Sequence, residues 1–210
     1  VRVPNNPAGL ALPQQPLDPG RTPGQPATGI VWERTYGIPM PYSVSDGPTA
    51  IVGGLAVGYP HTPQGAALAA MQIMRRVMSA PDPAVRAAIV NTQMTGSQSA
   101  KNAYLAALDK AWPDLERPAF QQRVDVPFGI NLDTDHYSST FASVSWAVGP
   151  YTTQDVSADA QVPEDAAFAE VTGPITTVWD QNQWKVAIPN GGFPTDQHTQ
   201  YSQESTWQPW

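Results

Sequence analysis

The sequence predicts an α+β fold, with three N-terminal helices packed on an antiparallel sheet of about four strands and a proline-rich N-terminal arm. Apolar residues recur at helical spacing between residues 64 and 111 and at strand spacing after Pro118. Hydrophobic residues make up 41% of the 210 residues, which is enough for one core. Helices that precede an antiparallel sheet along the chain typically cover one of its faces.

The first 28 residues are predicted to be an extended arm or a linker. They contain seven prolines and show almost no apolar periodicity, so they favour polyproline II conformations. Two interpretations stay open: a flexible linker, or an arm that lies along a partner or along its own domain.

Residues 29–56 are predicted to be an extended segment packed on the domain. Two short extended pieces, Ile30–Tyr36 and Thr49–Leu55, are divided by prolines, as in edge strands or loops. We expect Trp32 and Tyr36 to anchor this segment in a groove.

Residues 57–189 are predicted to form the α+β domain, which opens with three helices. Thr62 is a good N-cap and Pro63 suits the first helical position, so the first helix covers Gln64 to Ser79. Asp82 and a following proline repeat this signal for a second helix over 84–93. A third helix is predicted over 97–111, ending before Pro113.

The strands follow in the second half of the domain. Residues 123–132 read as a strand, and residues 138–148 alternate, with Ala142, Val144, Trp146 and Val148 on one face. A third strand is predicted over 166–179. It turns at 180–183 into the last strand, 184–188, which gives a closing hairpin. The tail, residues 190–210, is predicted to be irregular, with tryptophans at its end.

Composition limits the classes of partner. The net charge of −7 disfavours phosphate backbones and anionic lipid surfaces, so no nucleic acid partner is predicted. The absence of cysteine excludes disulfides, thiolate zinc ligands and thiol catalysis. There is no run of 18 apolar residues and no signal peptide pattern, and the chain reads like a piece of a longer protein.

The segment Val57-Gly58-Tyr59-Pro60-His61-Thr62-Pro63-Gln64-Gly65-Ala66-Ala67 and the closing hairpin carry a family resemblance. The order of elements, with helices before a curved meander, resembles the nuclear-transport-factor-two-like (cystatin-like) cone. Within it, the chain is similar to the extracytoplasmic domain of assembly factors of type IV secretion and conjugation systems in actinobacteria.

The resemblance implies structural or docking roles rather than chemistry, at the cell envelope. It also implies a membrane anchor in a segment that this sequence does not contain. We expect Gly65 to let the first helix approach a neighbour closely, and Gly58 and Tyr59 to set the turn into that helix.

Possible catalytic and metal sites are few. His61, His136 and His198 have no metal-ligand spacing. Asp133, Asp135 and His136 could bind a hard cation or act as an acid–base pair, but this position between two strands favours a turn.

Serine nucleophile and phosphate-loop patterns are absent. Ser97 and Ser99 are better explained as N-caps of the third helix, since the Ser-x-x-Lys and Gly-x-Ser-x-Gly patterns are missing. Gly53-Gly54 lacks the residues that complete a phosphate loop. We therefore predict no enzyme activity, no cofactor and no metal.

The sequence thus favours a non-enzymatic assembly or scaffold domain with protein partners; a homo-oligomer stays open. One alternative is a small-molecule binder or isomerase-like enzyme that uses the cone cavity, with Tyr104 among its lining. Another is a structural component of an envelope or a virion. The candidate interface and pocket residues are aromatic: Trp32, Tyr36, Tyr59, Trp146, Trp179, Trp184, Trp207 and Trp210.

Overall fold

The computed structural model is a mixed α+β structure with three helices and several sheets. It describes residues 25–115, 127–133, 136–151, 168–190, 192–193, 197–200 and 208–209. The helices are α1 (Pro63–Ser79), α2 (Pro83–Gln93) and α3 (Gln98–Leu115). The strands are β1 (Ile30–Thr35), β2 (Ile38–Ser43), β3 (Ala50–Val52), β4 (Leu55–Val57), β5 (Met94–Thr95), β6 (Pro127–Leu132), β7 (Phe141–Tyr151), β8 (Phe168–Asp180), β9 (Gln183–Ala187), β10 (Gln197–Gln200) and β11 (Gln208–Pro209).

Helix α1 is the central element of the fold. It begins where the sequence predicts, because the Thr62 side chain accepts a hydrogen bond from the Gly65 amide (3.0 Å) and Pro63 occupies the first turn. Nearly all of its residues are buried, since it contacts both the N-terminal strands β2 and β4 and the sheet strands β7, β8 and β9. A helix that is covered on all sides needs apolar or small residues all round, and its alanines and methionines provide them.

Helices α2 and α3 begin where the sequence predicts, but α3 ends later than predicted. Asp82 caps α2 by accepting from the Ala84 amide at 2.8 Å. Ser97 caps α3, with its Oγ accepting from the Ala100 amide at 3.1 Å. The expectation that the third helix ends before Pro113 is wrong, since α3 reaches Leu115. Pro113 lies in its last turn, where the missing amide removes a single hydrogen bond.

Each N-terminal extended piece pairs with the strand that follows it along the chain rather than with the main sheet. Strands β1 and β2 form one antiparallel hairpin, and β3 and β4 form another. Pro39 and Pro41 lie within β2, and a proline has no amide with which to join a ladder. This explains why β2 extends the sheet no further among the described residues.

The main sheet has more strands than the sequence predicts. Its order is β11-β6-β7-β8-β9-β5, and β10 also pairs with β8, so seven strands replace the expected four. All pairs are antiparallel except β5 with β9. The prediction of an irregular tail is wrong for β10 and β11. These strands are short and polar, so their pairing depends on open sheet edges rather than on an apolar pattern.

The predicted meander is confirmed at its centre. Ala142, Val144 and Trp146 are buried on the face of β7 toward the core, and Ser143 and Ser145 are half-buried on the other face. Residues 123–126 of the first predicted strand lie outside the described residues. The closing hairpin turns through Gln181 and Asn182, whose φ angles of 51° and 62° are those of a type I′ turn.

Candidate docking site at the start of the central helix

The entry segment, residues 57–67, is held by close backbone contacts. The carbonyl oxygen of Pro60 accepts a hydrogen bond from Trp184 Nε1 at 2.9 Å. A Cβ on Gly65 would collide with that same carbonyl oxygen, and a Cβ on Gly58 would collide with Thr49. The expectation that Gly65 serves contact with a neighbouring element is corrected, because the closest approach is to the preceding loop.

An aromatic patch, formed by His61 and Trp179, lies at this end of α1. The two rings stack with centroids 4.0 Å apart and planes 7° from parallel. Trp184 lies beneath them, edge-on to His61 at 5.6 Å and to Trp179 at 5.2 Å, and it is 1% exposed. His61 Nε2 also contacts the carbonyl oxygen of Ser139. An exposed histidine is therefore fixed in one orientation over a half-buried tryptophan.

The arm root, residues 25–28, is bound to the domain at the same end of α1. Gln64 Nε2 donates to the Gln25 carbonyl oxygen at 2.6 Å. Ser43 Oγ donates to the Thr28 carbonyl oxygen at 2.7 Å, and Thr28 Oγ1 donates to Ser45 Oγ at 2.7 Å. The last four residues of the predicted arm therefore pack on the domain, which is one of the two interpretations that the sequence leaves open for this segment.

Asp46 contacts the serines that bind the arm root, and the sequence analysis did not predict this role for it. Its carboxylate is fully buried and accepts hydrogen bonds from the hydroxyls of Ser45 and Thr62, and the Ser43 hydroxyl oxygen lies 3.4 Å from it. Through Thr62, the N-cap of α1, this carboxylate joins the loop that follows β2 to the start of the helix. The sequence does contain a signal for this role of Asp46, namely the serines that precede Asp46 and the Gly-Pro pair. Such residues typically form hydrogen bonds between their side chains and the local backbone.

A buried polar cluster lies further along α1, around Arg76. Its guanidinium donates to Gln72 Oε1 (2.8 Å), to Tyr42 Oη (2.7 Å) and to the Gly54 carbonyl oxygen (3.3 Å). Within the described ranges no carboxylate contacts Arg76, which is fully buried. Sequence analysis placed this arginine near the end of α1 without predicting its burial.

The hydroxyl of Tyr59 belongs to the same region. It is buried and has no hydrogen-bond partner among the residues that the structure describes. Burial raises the pKa of Tyr59, and the nearby Arg76 charge opposes part of that rise. Tyr59 thus packs in the core rather than on a surface.

The other predicted aromatic residues separate into core and surface. Trp146 and Trp184 are core residues, 3% and 1% exposed. Trp32 and Tyr36 are half-buried, and Trp32 packs against the core as expected. Tyr104 packs edge-on against Phe193 with centroids 4.9 Å apart. Trp207 and Trp210 lie outside the described residues.

Two members of the candidate acid–base cluster, Asp133 and His136, contact each other. Asp133 accepts from the His136 backbone amide at 3.2 Å and contacts His136 Nδ1 at 2.6 Å through its other oxygen. The His136 side chain is 72% exposed, as in a surface turn. Asp135 lies outside the described residues. Among the residues that are described, no three His, Asp or Glu side chains converge on a possible metal site.

Together these contacts define an α+β domain whose arm root and aromatic patch both lie near the start of a buried central helix. A family model covers residues 2–209, and the chain belongs to that family, a domain of unknown function (DUF8175). No curated protein and no solved structure matches it. In the described part of the chain, no helix is long and apolar enough to cross a membrane.

Proposed function

We propose that this chain is a non-enzymatic assembly domain outside the cytoplasm, which docks other components of a membrane-associated transport or conjugation machine. Its attachment to the membrane would lie in a segment outside this sequence. The register shifts in β6 and β7 support the cone-like curvature that this proposal assumes, because bulges bend strands.

The observation that carries the proposal is the fixed arm root. Holding a residue in one backbone conformation costs about 1–2 kcal/mol, so a mere tether gains nothing from being held. Gln25 and Thr28 are nevertheless bound through Gln64, Ser43 and Ser45. A fixed root gives the arm a defined starting point and direction, which helps an arm that docks on a partner.

The aromatic patch supports docking at the same place. His61 lies three residues before Gln64, whose side chain binds Gln25, so the patch and the arm root both lie near the start of α1. Rings that are held rigidly lose little conformational entropy when a partner covers them, and aromatic residues are enriched at interfaces for this reason. The arm and the patch can therefore contact one partner together.

The test is the mass in solution of the full chain and of a chain lacking residues 1–24, measured by light scattering after size exclusion. We expect an assembly larger than one chain that dissociates when the arm is removed. The variant His61→Ala should weaken it in the same way, whereas His136→Ala is a matched control on an exposed surface turn and should not. A monomer in all samples would contradict docking through the arm.

A second candidate function, binding of a small molecule, is favoured by the cluster around Arg76. A buried guanidinium bonded to neutral acceptors, near a tyrosine hydroxyl that has no partner in the described part of the chain, is the kind of place where an anionic or polar ligand gains strong hydrogen bonds. A thermal-shift screen of small acids tests it. A compound that stabilises the parent chain but not Tyr59→Phe would support this candidate, and a screen without such a compound would remove it.

A further inference from the structure

The guanidinium of Arg76 uses only part of its hydrogen-bonding capacity. It has five N–H groups, and three of them donate to Gln72, to Tyr42 and to the Gly54 carbonyl oxygen. The other two N–H groups have no hydrogen-bond partner in the described part of the chain. Arg76 is fully buried, and buried donors of this kind normally contact an ordered water or an ion.

The positive charge of Arg76 is not neutralised by the described groups that it binds. An amide oxygen, a phenol oxygen and a peptide carbonyl are neutral acceptors, and an arginine keeps its proton in proteins. Buried charges are normally paired with an opposite charge, because removing an unpaired charge from water is costly. A water molecule satisfies N–H groups but leaves the charge uncompensated, whereas an anion does both.

The Tyr59 hydroxyl adds a further donor near this charge. It is buried, and it has no hydrogen-bond partner among the residues that the structure describes. Burial raises the pKa of Tyr59 and the Arg76 charge opposes part of that rise, so the two side chains are close enough to interact. A protonated hydroxyl donates to an anion as a guanidinium does.

Burial also limits the size of the ligand. Arg76, Gln72 and Tyr42 are all fully buried between α1 and the N-terminal hairpins, so they present no surface to a large molecule. The side nearest to solvent is the turn between β3 and β4, where Gly53 is exposed and Gly54 is half-buried. A monatomic anion meets these conditions, because it is small, carries one charge and accepts hydrogen bonds from any direction.

We propose that the cluster around Arg76 binds a single halide ion, with chloride as the abundant one. The ion accepts hydrogen bonds from the two remaining N–H groups of Arg76 and from the Tyr59 hydroxyl, and it stabilises the attachment of the N-terminal hairpins to α1. This inference rests on the second candidate function, for which it names the ligand. It is independent of docking through the arm.

The test is urea unfolding of the full chain while sodium chloride replaces sodium gluconate at constant ionic strength, which keeps charge screening constant. We expect the ratio of folded to unfolded chain to rise with chloride. Above the dissociation constant it should approach a tenfold rise for each tenfold increase in chloride, as for one bound ion. Bromide should act in the same way.

Two charge variants separate the site from general effects of anions on stability. Arg76→Met removes the charge and its donors, so the saturable dependence on chloride should disappear. Lys110→Met removes the same charge from an exposed position and should keep that dependence. An equal dependence on chloride in Arg76→Met and in the parent would overturn the proposal.

Tyr59→Phe tests the site without removing the charge, and so applies even if Arg76→Met does not fold. A hydrogen bond to a charged group contributes about tenfold or more in affinity, so the chloride midpoint should shift to roughly tenfold higher concentration. Without chloride this variant should be at least as stable as the parent, since its hydroxyl then has no ion to bind. Tyr104→Phe, at a half-buried tyrosine that packs on Phe193, is the matched control and should leave the midpoint unchanged. An unchanged midpoint in Tyr59→Phe would overturn the proposed site.

The two outcomes for the cluster can be told apart. A chain that does not respond to chloride, but is stabilised by a small acid through Tyr59, would overturn the halide and keep the second candidate function. A chain that responds to chloride through Arg76 and Tyr59 supports the halide even if no small acid binds. Docking through the arm is judged by the mass in solution and does not depend on either result.

Discussion

Arg76 shows how one buried side chain can join several elements. Its guanidinium links α1 to β2 through Tyr42 and to the turn between β3 and β4 through the Gly54 carbonyl, and it also binds Gln72 one turn earlier. Gln72 in turn donates to the Pro41 carbonyl oxygen. The N-terminal hairpins are therefore attached to the central helix by polar contacts as well as by packing.

Replacing Arg76 by methionine should lower the free energy of unfolding by about 2–4 kcal/mol. Each buried acceptor left without a donor costs about 1–3 kcal/mol, and the loss of a buried charge offsets part of this. Urea unfolding measures the change. Lys110→Met removes the same charge from an exposed position and should stay within about 0.5 kcal/mol of the parent. Equal stability of the two variants would contradict the structural role of Arg76.

Buried tyrosines make the protein sensitive to alkali. Burial raises the pKa of both Tyr59 and Tyr104. Above pH about 10 the tyrosines of the unfolded chain ionise while these two keep their protons, so the unfolded state binds fewer protons and stability falls as pH rises. Below that pH both states are protonated and the effect vanishes.

Tyr59→Phe should therefore flatten the loss of stability between pH 9 and pH 11 by up to about 1.4 kcal/mol per pH unit. At pH 7 the variant should be at least as stable as the parent, because the hydroxyl has no partner among the described residues. Urea unfolding at the three pH values gives both numbers. An unchanged alkaline slope would show that Tyr59 ionises in the folded protein.

At the scale of single elements, the entry segment shows how local contacts override helix propensity. Gly65 lies in the first turn of α1 against the Pro60 carbonyl, which also accepts from Trp184. Alanine normally favours a helix over glycine by about 1 kcal/mol. Gly65→Ala should nevertheless destabilise the protein by about 1–2 kcal/mol, because the added methyl group forces the loop away from Trp184.

Chemical denaturation of Gly65→Ala and of Ala103→Gly checks this. Ala103 is an exposed position within α3, where the glycine variant should be the less stable one. At position 65 we expect the opposite, namely that the alanine variant is less stable than the parent chain with glycine. If alanine is the more stabilising residue at both positions, the contact with Pro60 carries no energy.

The elements that could be predicted are those whose signal is local. Thr62 and Asp82 fix helix starts through their own side chains, and the alternation of Ala142, Val144 and Trp146 fixes the core face of β7. The pairing of β5 with β9 and the two tail strands left no such signal, because they depend on edges that are remote in sequence. In the candidate site, the tryptophans could be predicted, but the placement of His61 on Trp179 joins residues far apart along the chain.

At the scale of the whole molecule, two layers contact the central helix, and each depends on a chain terminus. The arm root is bound at the start of α1, and the tail strands β10 and β11 pair with β8 and β6 of the main sheet. Long unpaired edges promote association with other chains, so a sheet that is completed by its own tail sequence gains protection as well as stability.

A chain that ends at residue 196 should lose this protection. It removes the partner from one side of Phe168–Val171 in β8 and from the outer side of β6, so we expect the melting temperature to fall by about 5–10 °C and aggregation to increase on heating. A chain that ends at Gln200 keeps β10 and should retain most of the melting temperature. Calorimetry with light scattering measures both effects. If both truncated chains melt and aggregate like the parent, β10 and β11 contribute nothing to the stability of the sheet, whereas a loss confined to the shorter chain assigns the protection to β10.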